Sequence, residues 1–373
     1  MTPNLTLGTV ASAVVGAPTK RLFTWGTAFL GRLGNGTTSP DVTAPAQIGS
    51  DTDWDYISAG QAHNLAIRGG KLYAWGYNNR GQLGDGTQTN RNSPVQIGSD
   101  TDWAVVACAG GPVSFAIKEN GKLYGWGASN YAANGLGTDD SSQQVLTPTQ
   151  IGSDTDWSSV GAGQFHGFAI KTNGKLYGWG RNDNGRLGDG TTTTRTSPVQ
   201  IGSDTDWAEV HGADAHSVAL KTNGKLYTWG AASFGRLGNG TTSPDVTAPA
   251  QVGSDTDWDS LFRGNEGLRN WAIKTNGKLY GWGSAGGVGD GTTTQRESPV
   301  QIGSETDWLT GGYGSAHRLG IRSPGDLYSW GSNANGQTGL GTTSGSTLSP
   351  TRVGSDSDWK QVAPAQGHSA ATR

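Results

Sequence analysis

Five of the six histidines, His63, His166, His216, His317 and His368, occupy one position of a recurring pattern, four residues before Ile or its equivalent. An imidazole titrates near neutral pH, so such groups could move protons or ligate a metal. A catalytic ring of five equivalent histidines would be unusual, whereas a His that bonds a neighbouring backbone recurs easily in a repeat. A structural role is therefore expected for all five, and His211, the one off register, has no triad signature around it. Seven acidic pairs form a second constellation: Asp51/Asp53, Asp100/Asp102, Asp154/Asp156, Asp204/Asp206, Asp255/Asp257, Glu305/Asp307 and Asp356/Asp358. They could ring one rim and bind calcium, but Gly-Ser-Asp-Thr-Asp is also good turn chemistry, and the spacing lacks the ligand count of a calcium loop. The Gly-Asp-Gly-Thr loops match neither a Walker loop nor a dinucleotide fingerprint, because no strand-to-helix context surrounds them. Neither metal, cofactor nor catalysis is expected.

The elements that must hold these residues come from a repeat. Trp-Gly recurs seven times, at Trp25, Trp75, Trp126, Trp179, Trp229, Trp282 and Trp330, within a unit of about 50 residues. The unit reads Lys-Leu-Tyr-x-Trp-Gly, then Gly-x-Leu-Gly-Asp-Gly-Thr, then Ser-Pro-Val-Gln-Ile-Gly-Ser-Asp-Thr-Asp-Trp, then Ala-Gly-x-x-His-x-x-Ala-Ile-Lys. Short alternating apolar runs are punctuated by hairpin signals at Asn120-Gly121, Asn173-Gly174, Asn223-Gly224 and Asn276-Gly277, and no stretch carries a helical stripe. The expectation is an all-β, seven-bladed propeller of four-stranded antiparallel blades. Residues 20–373 form this single ring. The last copy stops after its His segment, and the missing Lys-Leu-Tyr-x-Trp-Gly segment stands at residues 20–26, so the N-terminal strand is expected to complete the C-terminal blade and remove free sheet edges.

Composition bounds the rest. With 62 glycines and 33% hydrophobic residues the chain could pass for disordered, but 15 tryptophans argue otherwise. Burying one Trp is worth roughly 4–6 kcal/mol gross, and 14 of the 15 sit at repeated positions, so they are read as core. The single Cys108 cannot form an internal disulfide. Residues 1–19 are small and uncharged, lack the basic start and long apolar core of a secretion signal, and are read as a flexible arm or one that docks to a neighbouring subunit. No apolar run is long enough to span a membrane.

Leu-Tyr-x-Trp-Gly, Gly-Gln-Leu-Gly-Asp-Gly-Thr at residues 81–87 and Ala-Gly-Gln-Ala-His at residues 59–63 together resemble the regulator of chromosome condensation repeat. The resemblance covers about 350 residues and several motifs in constant order. It implies a seven-bladed propeller that serves as a protein-binding platform. The family's founding member exchanges nucleotide on a small GTPase and binds chromatin; here the net charge is −3 and no unit carries a long wedge-like insertion, so neither activity nor nucleic-acid binding is carried over. The family's light-sensing member places tryptophans just before the motif His, where this chain has Gln61-Ala62, Gln164-Phe165 and Ser315-Ala316. That photochemistry is not expected.

In a repeat, departures from consensus inform most, because the scaffold does not require them. Gly111-Pro112-Val113 and the segment Arg263, Gly264, Asn265, Glu266, Gly267, Leu268 and Arg269 replace the usual pre-His turn, and Trp271 follows. Residues 128–146 form an enlarged loop with Tyr131. The resemblance places the pre-His turns on one face, so Phe165, Phe262, Arg263, Glu266, Arg269, Trp271, Tyr313 and Tyr131 are expected to form a recognition surface for a protein partner. Drift in one degenerate blade is the plainer reading of the same residues. Residues 31–47 and 235–251 are the same 17 residues, which suggests exchange between copies and suits a modular binding surface. The expected use is a non-enzymatic scaffold in a larger assembly such as a virion or cell-surface structure. The alternative is a lectin whose inter-blade clefts take glycans.

Overall fold

A computed structural model describes residues 20–373 apart from Ser344; the docking arm expected at residues 1–19 lies outside the described residues. Seven sheets, each built on four antiparallel strands, form the ring, with no α-helix among the described residues. In the blade spanning residues 54–96 the strands run Trp54–Ala59, His63–Arg68, Lys71–Gly76 and Arg91–Gln96, from the central channel outward. The blades of residues 103–150, 157–200, 207–251, 258–301 and 308–352 repeat this order. Two ends follow from it. One, the turn face, carries the tight turns before each His position and the long Gly-x-Leu-Gly-Asp-Gly-Thr loops. The other, the hairpin face, carries the Asn-Gly hairpins and the acidic pairs.

The seventh blade closes the ring as expected, but with two N-terminal strands where one was expected. Leu22–Gly26 pairs with His368–Thr372 in the register Leu22 to Thr372, and Val42–Gln47 forms the outer edge beyond it. Gln361–Pro364 supplies the inner strand. The long loop of a unit connects its third strand to its fourth, so a unit that lacks its third strand lacks its fourth as well.

Trp-Gly recurs because the pair performs one packing task. The Trp of each pair is fully buried. Its Gly adopts positive φ where a side chain has no room: at Gly76, φ is +102° and an added Cβ would lie 2.5 Å from the Ala62 carbonyl oxygen. Gly84 is a second such position, since its Cβ would come 2.7 Å from Nε1 of Trp126 in the next blade.

Candidate functional site

Each repeat His is buried at a seam between blades. His63 Nε2 lies 3.0 Å from Ser114 Oγ of the next blade, and Ser114 Oγ donates to the Gln82 carbonyl at 2.7 Å. Trp126 Nε1–H donates to that same carbonyl at 3.0 Å. The network fixes the tautomer, because a hydroxyl already donating to a carbonyl accepts a proton from Nε2–H. The latch recurs as His166–Ser217, His216–Asn270, His317–Ser369 and His368–Asn64. So the histidines bond a neighbouring blade's side chain, and only through it a backbone. Burial pushes His63 down to about 4 and His216 and His317 to about 3. These imidazoles stay neutral at physiological pH and do not reach solvent.

The acidic pairs are likewise occupied. Lys171 Nζ sits between Asp154 (2.8 Å) and Asp156 (2.9 Å), over the rings of Trp157 and Tyr177. Lys118, Lys221 and Lys274 repeat this geometry, while Arg68, Arg322 and Arg373 fill it in the other blades. A protein cation therefore stands where calcium would, and the described residues hold no acidic or His/Cys cluster with metal-ligand geometry. Cys108 is buried and its thiol is pushed up to about 12 by desolvation.

The aromatic residues of the divergent segment are not on a surface, and Arg263 is exposed. Phe262, Trp271 and Tyr313 are buried in one core cluster, and Trp271 Nε1–H donates to the Val288 carbonyl at 2.7 Å. Arg269, at the His position, donates to the Ser284 carbonyl at 2.8 Å and to the Gly286 carbonyl at 3.0 Å, holding a shortened loop. Arg263–Gly264 leaves its own blade and pairs in parallel with Trp308–Tyr313 of the next. From there the chain crosses the turn end of the channel, and Asn265 Nδ2 donates to the carbonyls of Ala59 (3.0 Å) and Cys108 (2.8 Å), on two other blades. Glu266 is buried beside it, its carboxyl raised to about 8 by desolvation and by Asp214, against Arg32. Of the eight residues expected on a recognition face, Tyr131 and Phe165 lie there, in contact at 5.4 Å between ring centroids. The others lie at the channel or pack one seam between blades.

Beyond Tyr131, what the turn face exposes was missed in the sequence. Phe29 is 63% exposed, Phe234 50% and Tyr131 40%. Leu30, Tyr131 and Phe234 share one repeat position, just before the loop Gly or its equivalent, and have φ of 64°, 58° and 64°. The matching residues Arg80, Asn184 and Asn335 reach the same point, at equal chain length in their loops, without positive φ. The physical divide lies two residues earlier. Asn78, Asn182 and Asn333 are buried there and bond the rest of the loop, whereas Ala28 and Ala232 stand in that place in two of the aromatic loops and are held instead by Asp41 and Asp245 at 2.9 and 3.0 Å. Ala in place of that Asn, followed by an apolar residue before Gly, was the signal available.

The comparisons agree with this geometry. A family model described as RCC1-like domain matches residues 4–319, and one for the regulator of chromosome condensation (RCC1) repeat matches residues 324–372. The E3 ubiquitin-protein ligase HERC2 of Homo sapiens is 33% identical over 187 residues, 47% of this chain but 4% of that protein. The Ultraviolet-B receptor UVR8 of Arabidopsis thaliana is 29% identical over 332 residues, 86% of this chain and 62% of the receptor. This chain thus spans under two thirds of the length of either relative. Among solved structures, human WBSCR16 superposes with a TM-score of 0.83 at 20% identity, over 95% of this chain and 98% of that one. Prp20p of Saccharomyces cerevisiae does so with a TM-score of 0.83 at 20% identity, over 96% and 92%. With seven closed blades, the latch between them and family models that together run from residue 4 to residue 372, the chain belongs to the RCC1-like domain family.

Proposed function

We propose that this propeller is a non-enzymatic platform that binds a protein partner through its turn face, with Leu30, Tyr131 and Phe234 as anchors. One observation carries the reading: three bulky apolar residues are held at positive φ at a loop position where equal-length loops of other blades avoid it. A left-handed backbone costs a residue with a Cβ roughly 1–2 kcal/mol, and the exposure of Tyr131 and Phe234 adds to that, so the scaffold gains nothing from them. Arginines attend two of the three. Arg181 lies 4.7 Å over the Tyr131 ring and Arg236 lies 5.6 Å over the Phe234 ring, the Arg–aromatic pairing common at binding hot spots. Support by analogy comes from Prp20p, whose structure was described together with its binding to Gsp1p and histones.

The test is the triple variant Leu30→Asn, Tyr131→Asn and Phe234→Asn, since Asn tolerates the left-handed region. Melting should hold or rise. Capture of partner from the native source should fall at least tenfold, as expected for losing even one anchor worth about 2 kcal/mol. Undiminished capture would sink the reading, and retention of glycans alone on an array would replace it with a lectin.

A further inference from the structure

The channel itself is a second candidate site, independent of the turn face. The segment containing Asn265 covers its turn end, so the space inside is reached from the hairpin face. Two contiguous cavities of about 310 and 640 Å³ occupy it. Side chains two and four places after the inner-strand tryptophans face the channel, except Phe262, which packs into the core, and among them Tyr56, Glu209 and His211 are the ionisable ones. All three gather at the larger cavity, to which the displaced strand brings Arg263 from a fifth blade position.

Bonding in this cluster leaves one group uncommitted. Glu209 Oε1 accepts from His211 Nε2 at 2.9 Å, and its Oε2 accepts the Leu261 backbone N–H at 3.0 Å, so both carboxylate oxygens are occupied. Arg263 Nη1 donates to Tyr56 Oη at 2.6 Å, with the guanidinium 5.5 Å over that ring. Tyr56 offers it a hydroxyl and no carboxylate. The Nε and Nη2 donors of Arg263 find no hydrogen-bond acceptor among the described residues, although water reaches the side chain through the mouth. Ser260 Oγ, also on the wall, is buried without a partner. The remaining wall is mixed: Val105, Val160, Val210 and Leu220 supply its apolar part, and Ser159, Thr222, Thr256 and Thr310, with Lys221 and Asp259, its polar part.

We propose that the channel binds a small monocarboxylate with an apolar body, its carboxylate on the free donors of Arg263. A planar guanidinium fork matches a carboxylate in two parallel bonds, and partial desolvation inside the ring strengthens them. The nearby Glu209 charge disfavours a doubly charged phosphate. The valines and leucine take the body of the ligand, which sets an apolar requirement that inorganic anions cannot meet.

Benzoate, butyrate, benzamide and inorganic phosphate would be titrated into the intact protein by calorimetry and by ligand-observed NMR. Benzoate or butyrate should saturate, while benzamide, which keeps the ring and lacks the charge, and phosphate should bind at least roughly tenfold more weakly. Arg263→Gln should abolish carboxylate binding, and Tyr56→Phe should weaken it about tenfold by freeing the guanidinium from its anchor. Melting of both variants should match the parent, which separates a lost site from a lost fold. If neither carboxylate saturates, if benzamide binds as well as benzoate, or if a folded Arg263→Gln protein binds unchanged, the proposal is wrong.

Discussion

Two seams of the ring answer the same packing problem differently. Between residues 207–251 and 258–301, His216 bonds Asn270, Asn270 bonds the Arg236 carbonyl at 2.8 Å, and Trp282 Nε1–H reaches that carbonyl at 3.1 Å. Each buried polar atom on that path has a partner except His216 Nδ1. Between residues 258–301 and 308–352, the His is Arg269, the latch partner is Arg318, and Trp330 Nε1 has no acceptor. Arg318 is buried over the Trp271 ring at 4.4 Å, with Nε and Nη1 unpartnered and its pKa driven well below the usual range by burial and by Arg269. A repeated seam is satisfied by short-range bonds of fixed offset. The divergent one exchanges those bonds for aromatic packing, and the chain it releases plugs the channel and carries Arg263 into it.

The largest test concerns closure, which both seams presuppose. Removing residues 1–47 deletes two strands of the closing blade and exposes the edge of His368–Thr372, so cooperative unfolding should disappear in calorimetry. A truncated ring that melts in one sharp transition near the parent would break the account.

Acid distinguishes the seams next. Because burial lowers their pKa, the five histidines stay neutral in the fold while the unfolded chain takes up protons below about pH 6.5. The unfolded state then binds more protons, so stability is full above that pH and declines toward pH 3–4, by up to about 1.4 kcal/mol per pH unit for each histidine. Denaturant midpoints measured across this window should fall, and the fall should shrink in a His216→Gln variant. The Arg269–Arg318 seam contributes nothing to the slope.

Truncation sharpens the contrast further. Trp282→Ala and Trp330→Ala both empty fully buried sites and should cost about 3–5 kcal/mol. Trp282→Ala should be worse by about 1 kcal/mol, since it also loses a hydrogen bond. Equal urea midpoints would show that the indole bond adds nothing.

Smallest, and opposite in sign, are the latch residues. His216→Ala leaves Asn270 partly unpaired in the interior and should cost about 1–3 kcal/mol. Arg318→Met replaces a buried, under-bonded cation by an apolar chain and should be neutral or stabilising by about 1 kcal/mol. Marked destabilisation by Arg318→Met would mean that the cation–aromatic contact outweighs its desolvation.

Much of this was legible in the chain. The period, the tryptophan core, the blade count and the joining of the two ends follow from a motif whose contacts lie within a blade or one blade away, at constant sequence offset. The acidic pairs were half read: turn residues in sequence, they proved to be clamps because Lys171 and its equivalents lie directly across the paired strands from the tryptophan, as in Trp157 opposite Lys171. On the turn face, Tyr131 and Phe165 were found by their departure from consensus. Leu30 and Phe234 were missed because a leucine or phenylalanine in a loop carries no mark of the left-handed backbone angle it adopts.

The sequence by itself determined the number of blades, what fills them and how the ends meet, because each of those depends on neighbours that the repeat places at a fixed distance along the chain. Only the tertiary structure decided where the divergent segment goes. Arg263 meets Tyr56 across 207 positions, and Asn265 meets Ala59 across 206. Those pairs stand opposite each other over the channel, and no periodicity relates them; they come together because a closed ring brings its inner strands within reach of a single crossing segment.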